Sequence, residues 1–151
     1  MNALKFSEFY EGNFEDIGYE LYFVKDTDNK AMYIGISLNS IWHRWFGEGA
    51  SHMDTNASGN LFGTSIIGQV IERRFPDSWD WMIELWTKED CLTELGKILE
   101  GKNAKRINIG ILEPFMIKKF MPIYNVMHGG GGHEDPLTTK RLDDAYKKIF
   151  E

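Results

Sequence analysis

Two tyrosines, an arginine and a glutamate are the side chains of this chain whose types and order best suit phosphate chemistry. Tyr22 and Tyr33 stand a hairpin's length apart, so paired strands would bring both phenols toward one surface. Arg44 comes soon after, and its always-charged planar guanidinium suits a phosphodiester whose negative charge grows during displacement. Glu113 adds a carboxylate far downstream.

Glu113 falls within an apolar stripe, four residues after Ile109 and seven before Phe120. A buried carboxylate is costly unless an arginine, hydrogen bonds or a cation compensates it. Mg²⁺ is usually held by one or two carboxylates together with waters and phosphate oxygens. Glu113 is therefore the candidate metal ligand. Pro114 follows it directly, so a new helical segment could begin there with Glu113 near its N-cap.

The elements that must position these side chains begin with a β-hairpin. Residues Tyr19 to Lys25 and Ala31 to Ser37 are rich in aromatic and β-branched residues, and a polar loop separates them. Asn39 and Ser40 are good N-caps for a first helix, which would carry Arg44.

The next stretch, from Gly47 to Gly59, has little apolar content and is predicted to be a loop long enough to carry function. A second helix is expected from Thr64 or Ser65 to Arg74. The alternation of large apolar and other residues between Asp80 and Trp86 predicts a third strand.

Three further helices are predicted toward the end of the chain. Thr87 and Asp90 have the spacing of a capping box for a helix that reaches about Leu99. Another helix contains the apolar stripe around Glu113, and a last amphipathic helix is expected over about 137–150, after a glycine tether at 129–132. The expected fold class is thus α/β (α+β), with a small central sheet of about three strands flanked by helices.

The order of these residues resembles the GIY-YIG nuclease superfamily, in which two triplets lie on paired strands and an arginine, a glutamate and an asparagine follow. The second triplet is intact here as Tyr33-Ile34-Gly35. The first reads Glu20-Leu21-Tyr22 and keeps only the tyrosine, which departs from the family pattern.

The most specific segment runs from Glu113 to Asn125, with Lys118, Lys119 and Pro122 between them. It looks like the glutamate helix of the nuclease domain in the bacterial excision-repair incision subunit. The resemblance covers about 19–126, so these residues form the expected core of a single domain spanning 1–151.

The resemblance implies metal-dependent hydrolysis of phosphodiester bonds, with DNA favoured as substrate and RNA left open. A tyrosine phenol would assist the deprotonation or positioning of water, and one Mg²⁺ or Mn²⁺ ion would be bound. The implied catalytic residues are Tyr22, Tyr33, Arg44, His52 and Glu113, with Glu113 also the metal ligand. The implied substrate-binding residues are Gly35, Lys118, Lys119 and Asn125.

Two of these assignments, the arginine and the possible base, have alternatives in the sequence. Arg44 stands one residue later than the family usually places its arginine, so His43 could occupy the expected position, although an imidazole cannot replace a fixed charge. The family often adds a His or Tyr after the arginine as a possible base. Glu48 has one natural spacing for it, and His52 lies further along, as a base or as an ordinary exposed loop histidine.

The charge of the whole chain opposes nucleic-acid binding. The formal net charge is −6, whereas non-specific affinity for nucleic acids comes mainly from Lys and Arg at phosphates. Binding must then be weak or highly localised. Two rival functions stay open: a catalytically inactive nucleic-acid-binding relative, and a protein-interaction domain that keeps only the fold.

Length and composition set broad limits. The 151 residues suit one core, and no apolar run reaches the roughly 18 residues that span a bilayer. The single cysteine, Cys91, excludes an internal disulfide framework. The expectation is a soluble intracellular (cytoplasmic) protein without membrane contact. A protein partner or a homodimer stays open.

Overall fold

The computed structural model describes residues 1–49, 52–100 and 107–125, together with residues 144 and 147. The described elements, in chain order, are β1 (Asn2–Lys5), α1 (Phe6–Glu11), β2 (Tyr19–Lys25), β3 (Ala31–Ile36), α2 (Ile41–Phe46), β4 (Met53–Thr55), β5 (Leu61–Gly63), α3 (Ile66–Arg73), a 3₁₀ turn (Asp77–Asp80), β6 (Met82–Thr87), α4 (Lys88–Glu94) and α5 (Ile109–Phe120). The predicted glycine tether lies outside the described residues. So does most of the predicted last helix, of which only Asp144 and Lys147 are described, both helical and exposed.

Four antiparallel strands form the central sheet, in the order β1-β6-β2-β3. The mixed α/β class and the strands β2, β3 and β6 agree with the sequence prediction. The expected number of about three strands was wrong, because β1 adds a fourth beside β6. With only four residues, β1 is too short for a clear alternating pattern.

The sheet separates two apolar layers because successive strand residues point to opposite faces. On one face, Leu21 and Phe23 pack against α4 and α5. On the other, Tyr22 and Val24 pack against the helices α1, α2 and α3. The predicted hairpin is confirmed, and the phenols of its two tyrosines lie in the second layer.

A small β4–β5 hairpin begins within the region predicted as a loop, so the loop prediction from Gly47 to Gly59 was wrong at β4. Its strands have three residues each and are too short for periodicity to reveal them. The helix starting at Thr87 was also predicted too long: α4 ends at Glu94, and Gly96, a poor helix former, follows in a turn. Its capping box between Thr87 and Asp90 is confirmed.

Candidate active site

The hairpin brings the two predicted tyrosines together. Tyr22 stands opposite Gly35 and Val24 opposite Tyr33, which places both phenols on the same face of the sheet. Their rings are stacked, with centroids 6.2 Å apart and an interplanar angle of 25°. Tyr22 is fully buried, whereas Tyr33 is partly exposed. An incoming ligand would therefore meet Tyr33 more readily.

Gly35 makes room for the ring of Tyr22. A Cβ atom added at position 35 would overlap the Cζ and hydroxyl atoms of that phenol. The missing side chain thus allows the Tyr22 ring to lie across the neighbouring strand. Its predicted contact with substrate stays a prediction, and this packing gives a separate physical reason for glycine in the triplet.

His52 lies directly before β4 and is buried, with 2% of its surface exposed, so it is not an ordinary exposed loop histidine. Its Nε2 atom lies 2.6 Å from the hydroxyl of Tyr22, and its Nδ1 atom lies 2.7 Å from Oγ of Ser65. The centroid of its ring lies 4.4 Å from the ring centroid of Trp45 and 5.6 Å from that of Tyr33. The structure therefore joins His52 to both predicted tyrosines.

Two glycines that the sequence prediction did not single out hold His52 in place. The backbone carbonyl of His52 accepts a hydrogen bond of 2.8 Å from the Thr64 amide. A Cβ atom added to Gly68 would overlap that carbonyl, and one added to Gly63 would overlap the backbone of α3. The close approach of the hairpin to α3 requires glycine at both positions. A glycine inside a predicted helix was the available signal, because glycine disfavours helices unless packing requires it.

Arg44 reaches the tyrosine pair from α2. Its side chain donates a hydrogen bond to the Tyr22 hydroxyl, and its positive charge acts on both Tyr22 and His52. His43, the alternative candidate, is exposed, and its ring packs edge-on against Trp42. Of the two candidates, Arg44 is the one that contacts the tyrosine pair. Glu48, the other candidate base, is exposed just after α2.

Burial keeps both members of the Tyr22–His52 pair neutral. It raises the pKa of Tyr22, and the Tyr33 phenol adds to the rise while Arg44 opposes it. Burial, together with a smaller contribution from the charge of Arg44, also lowers the pKa of His52 to about 3. At pH 7 the pair is a phenol and a neutral imidazole, and a proton can pass between them only if nearby charges change.

The buried His52 predicts acid sensitivity. Its folded pKa lies below the unfolded value of about 6.5, so its contribution to stability is complete above that pH and is lost as the pH falls toward about 3. Between pH 6.5 and 4.5 this loss is about 2 kcal/mol. Urea unfolding at both pH values should show a smaller drop in the free energy of unfolding for His52→Gln than for the wild type. The exposed His43→Gln should retain the full drop, and equal drops in all three proteins would contradict the assignment.

Glu113 lies on α5, which packs against the face of β3 that carries Ile34, and only 7% of its surface is exposed. The prediction of a buried carboxylate is therefore confirmed. The possible new helical segment at Pro114 is not found, because α5 continues from Ile109 to Phe120 with Asn108 as its N-cap. Pro114 only removes one backbone donor within the helix.

The donor set at Glu113 fits a hard cation that keeps most of its water. The described residues contain no group of three or more His, Cys, Asp and Glu side chains able to hold a metal ion. A cation bound by one carboxylate would take its other ligands from water and from phosphate oxygens, as Mg²⁺ does. Binding of Mg²⁺ by Glu113 stays a prediction.

The remaining predicted residues have other partners. Lys119 forms an ion pair of 2.9 Å with the Glu94 carboxylate and also donates to the Glu94 carbonyl, which ties α5 to α4. Lys118 is half-buried on the same helix. Asn125 binds the backbone of Ile34 through both amide atoms, accepting at 2.8 Å and donating at 2.7 Å. Their contacts with substrate stay predictions.

No protein-family model, curated protein or solved structure matches this chain. None of the described helices is long and apolar enough to cross a membrane.

Proposed function

We propose that this chain is a metal-dependent endonuclease of GIY-YIG type that hydrolyses phosphodiester bonds, with DNA as the favoured substrate. The observation that carries the proposal is the hydrogen-bonded series from Arg44 through Tyr22 to His52, stacked against Tyr33. Packing alone gives no reason for a buried histidine and an arginine to contact the same phenol. Active sites often hold such perturbed, coupled groups.

The network can move a proton when phosphate binds. A neutral phenol is a weak base, but the Tyr22 oxygen can take a proton from water while its own proton passes to Nε2 of His52. Burial is the main cause of the low pKa of His52, and a phosphate at Arg44 would offset the smaller contribution, that of the Arg44 charge. Substrate binding would therefore make His52 a better proton acceptor.

Arg44 and Glu113 have complementary roles in the proposed reaction. Arg44 is an exposed residue, and its guanidinium would bind a phosphate oxygen and stabilise the charge that develops there. Glu113 would hold Mg²⁺, which when bound makes water more acidic and offsets the charge of the leaving group. Tyr33 is a partly exposed residue, and its hydroxyl would position the water or a phosphate oxygen.

A cleavage assay tests the proposal. Purified protein is incubated with supercoiled plasmid in Mg²⁺, in Mn²⁺ and in EDTA, with branched and single-stranded DNA and RNA as further substrates. Metal-dependent nicking or linearisation is expected at low salt, because a net charge of −6 predicts few phosphate contacts. No cleavage of any of these substrates would overturn the proposal.

Arg44→Ala should lower the cleavage rate about 100-fold to 1000-fold, the usual cost of removing a donor that stabilises developing charge. Arg73→Ala is the matched control, since this arginine is exposed in the last turn of α3. Single-turnover rates should separate the two variants. An Arg44→Ala protein that cuts normally and is only less stable would make Arg44 a structural residue.

A catalytically inactive nucleic-acid-binding relative is the second candidate, favoured by the altered first triplet Glu20-Leu21-Tyr22 and by the negative net charge. Salt-sensitive binding to DNA or RNA without metal-dependent cutting would support this function instead.

A further inference from the structure

Ser65 makes two contacts with different purposes. As the N-cap of α3 its hydroxyl oxygen accepts a hydrogen bond of 3.1 Å from the Gly68 amide. The same oxygen lies 2.7 Å from Nδ1 of His52. The N-cap of this helix is therefore also the partner of the imidazole at the candidate active site.

The hydrogen-bond donors and acceptors available to Tyr22 and His52 determine which atoms of the two side chains carry protons. The Tyr22 oxygen accepts from Arg44, so its own hydroxyl hydrogen is free to go to Nε2 of His52. A neutral imidazole carries only one N–H group, which then lies on Nδ1 and donates to Ser65. In the opposite tautomer, the Nε2–H of His52 and the side chain of Arg44 would both donate to the Tyr22 oxygen. The buried hydroxyl hydrogen of Tyr22 would then need a third partner to accept it.

We propose that Ser65 is a positioning residue that holds His52 in the Nδ1–H tautomer and thereby turns the Nε2 lone pair toward Tyr22. Ser65 acts through His52 and needs no contact with substrate. Its own hydroxyl hydrogen remains available for water, since Ser65 is half-buried. The tautomer assignment stands on the hydrogen bonds alone, whereas its value for catalysis rests on the proposed function.

The proton balance of the reaction gives Ser65 its role. When Tyr22 passes its proton to Nε2 and takes one from water, His52 carries N–H groups on both ring nitrogens and a positive charge. The N–H at Nδ1 still donates to the Ser65 oxygen, so the imidazolium keeps both of its partners. The proton returns to Tyr22 and then to the leaving group or solvent at the end of the cycle.

A simple helix cap would explain the Gly68 contact, so the test needs a measurement that capping does not change. Thr87 supplies the matched control, because its hydroxyl caps α4 by accepting from the Asp90 amide. Removing either hydroxyl by alanine costs a cap. Ser65→Thr keeps the hydroxyl, and Ser65→Gly removes it at small cost because glycine is a tolerated N-cap.

Nitrogen-15 NMR of histidine-labelled protein reports the tautomer directly, and His52→Gln identifies the signal among the four histidines. The wild type, Ser65→Thr and Thr87→Ala should show the Nδ1–H form of His52. Ser65→Ala and Ser65→Gly should show the Nε2–H form or a mixture. A wild type in the Nε2–H form, or a Ser65→Gly spectrum unchanged from wild type, would overturn the proposal.

Cleavage kinetics separate this inference from the proposed function. Ser65→Ala and Ser65→Gly should lower kcat about 10-fold to 100-fold with KM unchanged, less than the loss of a proton-transfer group itself because Ser65 acts only through His52, whereas Ser65→Thr and Thr87→Ala keep wild-type rates. If the wild type never cuts DNA or RNA but Ser65→Gly still changes the tautomer of His52, the nuclease is refuted and the tautomer assignment stands. Wild-type cutting that Ser65→Gly does not slow would refute the role of Ser65 and leave the nuclease intact.

Discussion

Glu113→Gln is expected to reduce metal-dependent cleavage to the level measured in EDTA. Glutamine keeps the volume of the side chain at a position where only 7% of the surface is exposed, so packing changes little. It removes the negative charge, and a neutral amide is a poor ligand for Mg²⁺ compared with a carboxylate. The measurement is the initial rate of plasmid nicking over a range of Mg²⁺ concentrations.

Glu84 provides the matched control for this substitution. It is also a carboxylate with 7% exposure, but it lies on β6, where it pairs with Lys25 at 3.0 Å and accepts from the Trp86 indole at 3.1 Å. Glu84→Gln should lower thermal stability and leave the rate of cleavage per folded molecule unchanged. If Glu113→Gln cuts like the wild type, Glu113 has no place in the mechanism.

Gly35→Ala is expected to destabilise the protein by about 3 kcal/mol or more, the upper range for overpacking a core. The added methyl group must displace the Tyr22 ring, which is fixed from other sides by Trp45 and His52. Displacing the ring also breaks the hydrogen bond to His52, so folded molecules of the variant should cut at least 10-fold more slowly. Urea unfolding and single-turnover cleavage measure the two effects separately.

Gly96→Ala controls for the general effect of replacing a glycine. Gly96 lies in an exposed turn after α4, and the nearest atom to an added Cβ would be the Thr93 carbonyl oxygen at 3.3 Å. This substitution should change the free energy of unfolding by less than about 1 kcal/mol. A Gly35→Ala protein of wild-type stability and rate would show that the Tyr22 ring is not confined as described.

The elements that the sequence predicted well carry strong local signals. Both strands of the β2–β3 hairpin are long enough to be recognised from their aromatic and β-branched residues. Thr87 and Asp90 mark the start of α4 because they form a capping box. The strands β1, β4 and β5 have four residues or fewer, and their existence depends on the partners they find in the folded chain.

The candidate site was predictable in its residues more than in its geometry. The tyrosine pair follows from the register of one hairpin, so its stacking could be anticipated. The burial of His52 could not, because it depends on the approach of β4–β5 to α3 at Gly63 and Gly68, which is a tertiary contact. Ser65 was visible only as a helix start, since nothing in the sequence relates it to a histidine thirteen positions earlier.

Asn125 helps to cover one edge of the central sheet. Strand β3 is an outer strand, and its exposed backbone could otherwise recruit a strand from another molecule. The amides of Ile123 and Tyr124 donate to carbonyls of β3, and the side chain of Asn125 satisfies both backbone groups of Ile34. Strand addition along this part of β3 is therefore blocked by the chain itself. A homodimer built by extending the sheet would have to use the opposite border at β1, and the hairpin that carries the tyrosines stays clear of such pairing.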